Sequence, residues 1–78
     1  MTNLKETLCD IAKAIVDSPD EVTVVESIDG KKVNLILSVA ESDMGMVIGK
    51  HGKIAKAIRT IMKAAAMADD KEVNVEIR

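Results

Sequence analysis

The dipeptide Asp29-Gly30 stands between two runs of β-branched and aliphatic residues, and this constrains the fold more than any other feature of the chain. Asp-Gly supplies the positive φ of a two-residue hairpin turn, so the flanking runs, 22–28 and 32–40, pair antiparallel. In the second run Val33, Leu35, Leu37 and Val39 alternate onto one face, Asn34 and Ser38 take the other, and Ile36 interrupts the polar side. A third strand-like segment, 72–77, carries Val73, Val75 and Ile77 on one side. It follows a helical stretch of about thirty residues, a length that favours a parallel, right-handed crossover.

The remaining segments have helical periodicity. Residues 2–17 place Leu4, Leu8, Ile11 and Ile15 on one face; Thr2 or Asn3 caps the helix, Glu6 sits in its first turn, and Pro19 closes it. Ser42 and Asp43 are caps for a short helical turn over Met44–Ile48. A longer helix over 53–68 turns Ile54, Ile58, Ile61 and Ala65 inward with Met62 beside them, and Asp69-Asp70 closes it. The order α-β-β-α-α-β predicts a single α+β domain over 1–78. Its three-stranded mixed sheet should carry three helices on one face and be wet on the other.

A core of 78 residues stabilises by only roughly 3–5 kcal/mol, so association with a partner is expected from the outset. Phe, Tyr and Trp are absent altogether. That excludes the RNA readers that stack bases on aromatic rings. Cys9 is alone, which rules out an internal disulfide or a cysteine metal site and leaves it as a packing residue. No apolar run approaches the ~20 residues of a membrane span, and Met1–Lys13 lacks the order of a signal peptide, so a cytoplasmic protein is expected.

The chemistry concentrates at Gly49-Lys50-His51-Gly52, between the two later helices. Two glycines permit a sharp turn and let a ligand backbone approach without meeting Cβ atoms. The following helix offers unpaired amides and the positive end of its dipole, where phosphates bind. From Met44 to Ala68 there is no acidic residue, yet Lys50, Lys53, Lys56, Arg59 and Lys63 give +5, while the rest of the chain sums to −7. A net charge of −2 therefore hides one compact basic element. The spacing excludes a nucleotide P-loop, because three residues rather than four separate Gly45 from Gly49-Lys50 and His51 replaces the Ser or Thr. A dinucleotide fingerprint fails for want of a glycine two before Gly49. With one His and one Cys, neither a thiol nucleophile pair nor a zinc site is evident, and no enzyme or cofactor is expected.

The stretch from Gly45 to Arg59, GMVIGKHGKIAKAIR, resembles a type II KH domain, and most resembles small bacterial single-KH proteins of the KhpA/YlqC type. The likeness covers nearly the whole chain. It implies that the Gly-x-x-Gly loop clamps about four nucleotides of single-stranded RNA. On that basis Gly49 and Gly52 admit the backbone, Lys50 and His51 face phosphates, and Lys53 and Lys56 extend the contact. Val47, Ile48 and Ile54, with Ile36 as a further candidate, match the positions that shape an aliphatic groove for the bases. The resemblance also implies a cytoplasmic post-transcriptional regulator or RNA chaperone. Such a protein self-associates or pairs with a larger multidomain KH protein of the Jag/KhpB type. The competing reading is a KH-fold dimerisation module with little RNA affinity of its own, for which Met44, Met46, Met62, Met67 and the run Ala64-Ala65-Ala66 supply adaptable apolar surface.

Overall fold

A computed structural model describes residues 3–78 of the chain. Helix α1 spans Leu4–Ile15, and Asn3 caps it: its Oδ1 accepts the Glu6 amide at 3.1 Å. Thr2, the other candidate cap, lies outside the described residues. The helix ends at Ile15, before Pro19, which instead opens a separate 3-10 turn, Pro19–Glu21. The exit is fixed from elsewhere in the chain. The amides of Asp17 and Ser18 donate to the carboxylate of Asp43, at 3.4 and 3.0 Å.

Strands β1 (Thr23–Asp29) and β2 (Lys32–Ser38) form the expected antiparallel hairpin. Asp29 pairs with Lys32, so the turn residues are Gly30-Lys31, one position later than the Asp-Gly signal suggests. Gly30 at φ +60° comes first in the turn, the arrangement in which glycine is followed by any residue. Strand β3 (Glu72–Ile77) lies parallel to β2, with Val33 beside Val73, Leu35 beside Val75 and Leu37 beside Ile77. Alternation puts Val24, Val33, Leu35, Leu37 and Val75 on the buried side, and leaves Ser27, Asn34 and Asn74 in water. Val39 falls beyond the end of β2.

Helices α1 and α3 (Lys53–Ala68) cover the inner face of the sheet, and the short α2 (Met44–Ile48) packs chiefly on α3. The buried face of α3 is Ala55, Ile58, Met62 and Ala66, rotated from the expected Ile54–Ile58–Ile61–Ala65 row. Ile54 and Ile61 remain 37% and 50% exposed. Ile58, Met62 and Ala66 join the core that holds the strand residues, and the small Ala66 lets the end of the helix sit close, while Ala55 is buried outside that cluster. Asp70, at φ +56°, ends α3: its amide donates to the Met67 carbonyl and the Lys71 amide to that of Ala66, at 3.1 and 2.8 Å. Arg59 Nε donates to the Val75 carbonyl at 3.3 Å, fastening α3 to β3. On β1, Glu26 stands opposite Leu35 on the inner side and is exposed.

Candidate nucleic-acid interface

The loop between α2 and α3 is built from unusual backbone. Gly49 has φ +74° and ψ 176°, a combination essentially confined to glycine. Space imposes the same choice, since a Cβ there would lie 2.6 Å from Ile54 Cγ1 and 2.8 Å from its Cβ. Lys50–Gly52 then form a 3-10 turn in which His51 is left-handed (φ 58°, ψ 26°), and Gly52 follows at φ 73°, ψ 15°. A Cβ on Gly52 would meet nothing within 4 Å, so its glycine answers to conformation alone. His51 is one of two non-glycine residues with positive φ among the described residues. The turn closes on itself, the Gly52 amide donating to the Gly49 carbonyl at 3.2 Å and the Lys53 amide to that of Lys50. The first turn of α3 follows, and Gly52 at the N-cap has no side chain to occupy the amides of that turn.

Around this backbone Lys50, His51, Lys53 and Lys56 are exposed, and none of them is in an ion pair among the described residues. Lys63 is exposed further along α3, whereas Arg59 is committed to the Val75 carbonyl. The structure thus brings the predicted glycines and cations together, minus that arginine. The aliphatic set divides. Ile48 is 40% exposed and, with Ile54, borders the loop. Val47 is fully buried in the core, so it supports the loop from beneath and offers no surface to a ligand. Ile36 pairs with Val25 and Glu76 on the outer face of the sheet, the side away from the helices.

Met46, expected as adaptable surface for dimerisation, is 39% exposed on the short helix that precedes the loop. Asp43, expected as a helix cap, makes no side-chain cap bond to α2; it is buried, and its carboxylate anchors the α1–β1 connection just ahead of the loop helix. Its sequence signal, the Ser42-Asp43 pair ahead of an acid-free stretch, points to a cap and not to this anchoring. Asp29, Lys31, Lys32, Asp70, Lys71 and Glu72 line an open cleft at the hairpin end of the sheet, where cations and anions balance. Among the described residues no group of His, Cys, Asp and Glu could hold a metal ion, and no helix is long and apolar enough to cross a membrane.

Known proteins resemble this chain along nearly its whole length. The family model for the KhpA/KhpB KH domain matches residues 5–77. A protein of Clostridium acetobutylicum named RNA-binding protein KhpA is 55% identical over 95% of this chain and 99% of its own length. Its namesake in Clostridium perfringens is 51% identical over the same shares, and that of Treponema pallidum 46% identical over 99% of this chain and 96% of its own.

Proposed function

The chain belongs to the KhpA/KhpB KH-domain family, a family of RNA-binding proteins and not of enzymes, and from that premise we propose that it binds single-stranded RNA through the Gly49–Gly52 loop. The carrying observation is a glycine-bounded turn at the start of a helix, surrounded by cations that form no ion pair among the described residues and bordered by exposed isoleucines. Gly49 and Gly52 let the sugar–phosphate chain approach, and Lys50, His51, Lys53 and Lys56 neutralise phosphates. Ile48 and Ile54 receive the bases, with Val47 beneath them. The reach is about four nucleotides. We place this activity in the cytoplasm, in a post-transcriptional or RNA-chaperone role.

The test is a titration of a labelled single-stranded oligoribonucleotide at increasing salt. Three or four neutralised phosphates give a slope of roughly −2 to −3 in log affinity against log salt. No retention of RNA even at low salt would leave the fold as a protein-interaction module only.

Self-association has its own support. Ala57, Ile61, Ala64 and Ala68 form an exposed apolar stripe on α3 at three- and four-residue spacing, with Ile54 at its loop end. A small core and small residues along a helix face suit docking against a second copy, or against a partner of the KhpB type. Two loops on one assembly would then raise apparent affinity by avidity. Ile61→Lys is expected to convert dimer to monomer in sedimentation and to weaken binding to a long RNA more than to an eight-mer. An unchanged mass would remove this face from consideration.

A further inference from the structure

The charges of α3 run against the helix's own stability. Lys53 and Lys56 stand in its first turn, where the dipole disfavours cations, no basic residue lies in its last turn, and Asp69 and Asp70 follow its end. Lys53 repels Lys56 at three positions, Lys56 repels Arg59 at three, and Arg59 repels Lys63 at four. A solvated helix face ordinarily mixes both signs. This chain carries thirteen acids and places none on α3. A helix charged in this way fits a polyanion along its length.

The loop accounts for the first two lysines but not for the last. Lys53, Lys56, Thr60, Lys63 and Met67 follow one another at three- and four-residue spacing and are all exposed, so they share one face, apart from the Ala57–Ile61–Ala64–Ala68 stripe. The face ends in an open depression of about 210 Å³ lined by Lys63, Met67, Lys71, Glu72 and Val73. Met67 is 76% exposed there, and neither Lys63 nor Lys71 forms an ion pair among the described residues. Lys63 stands roughly 15 Å along the helix from Lys53. Salt screens exposed charges beyond about 8 Å at physiological ionic strength, so Lys63 contributes little to a phosphate held at the loop. Its own phosphate would have to lie close by.

We infer that a strand leaving the Gly49–Gly52 loop continues along this face to a second contact in the depression, where Lys63 and Lys71 hold phosphates and Met67 supports a base. This deepens the RNA-binding reading and rests on it. Glu72 is the one acid lining the depression, and it weakens the contact.

The test compares fluorescein-labelled oligo-U of five and of twelve nucleotides near physiological salt. Lys63→Glu with Lys71→Glu should weaken binding of the twelve-mer by about tenfold or more and leave the five-mer within about twofold of wild type. The salt slope for the twelve-mer should lose roughly 1.4, for two phosphates no longer neutralised. Glu72→Gln should act in the opposite sense, raising affinity for the twelve-mer alone. Because these side chains lie at the surface, melting temperatures should stay within about 3 °C of wild type, and the mass in sedimentation should not change.

Equal losses on both lengths would overturn the inference, since the lysines would then act only as a general field. Unchanged binding of the twelve-mer overturns it too, and leaves the face to an acidic protein surface or to solvent. A change of mass accompanying the lost affinity assigns the lysines to association between copies of the chain. If the wild-type protein retains neither oligomer at low salt, the RNA-binding reading itself fails, and this inference with it.

Discussion

Replacing Lys50 and His51 together by aspartate is expected to weaken binding of single-stranded RNA by about a hundredfold or more while leaving the fold intact. Both side chains are exposed, and neither takes part in an ion pair among the described residues, so their loss removes no packing. Aspartate also tolerates the left-handed backbone that His51 adopts. The double substitution takes the acid-free 44–68 window from +5 to +2 and places both new negative charges at the turn where a phosphate would sit. Exchanging attraction for repulsion at two contacts amounts to roughly 3 kcal/mol, which is about two decades in affinity. Circular dichroism and the melting temperature should match wild type. Crosslinking to RNA that survives in this variant would refute the loop as the binding element.

The second large effect concerns Gly49. Gly49→Ala must either hold alanine at φ +74°, ψ 176° or rebuild the turn. In the first case its methyl overlaps the Ile54 side chain at 2.6–2.9 Å. Backbone strain of this kind costs about 1–3 kcal/mol, and the overlap adds to it. Against a domain stability of only a few kcal/mol, the expected fall in melting temperature is roughly 10–20 °C. RNA affinity should fall as well, because the turn that positions Lys50 and His51 is the part that moves. Ile54→Ala in the same chain removes the Cγ1 and Cδ1 overlaps but keeps the Cβ at 2.8 Å and the backbone strain, so it should recover only a small part of the stability and none of the affinity. A melting temperature within a few degrees of wild type for Gly49→Ala would show that neither constraint operates.

Most of the fold was legible because its signals are local. Alternation in Val33–Leu37 and the turn glycine set the hairpin, and the length of the crossover set the parallel third strand. The inner face of α3 was misplaced for a physical reason. Periodicity finds the large residues of a helix, whereas two of the buried positions here are alanines, Ala55 and Ala66, and Ile54 and Ile61 stay partly exposed. The candidate loop was legible as glycines and charge, but its αL turn at His51 was not, since nothing in the residue type demands it. Asp43 escaped for another reason: the amides it binds lie twenty-five and twenty-six positions away, and only the folded chain brings them together.

The sheet has two outer margins, and each is guarded. On β3, the Arg59 side chain covers a carbonyl that faces away from β2. On β1, Glu26 places an exposed carboxylate on the inner side, at the middle of the strand. If two copies joined their sheets antiparallel at β1 about its midpoint, Glu26 would face its own counterpart, and at β3 the guanidinium would have to be displaced first. Strand-by-strand growth into larger sheets, the usual hazard of a small protein with open edges, is therefore disfavoured at both ends. With its sheet margins guarded, the domain keeps its helical side for the contacts it makes.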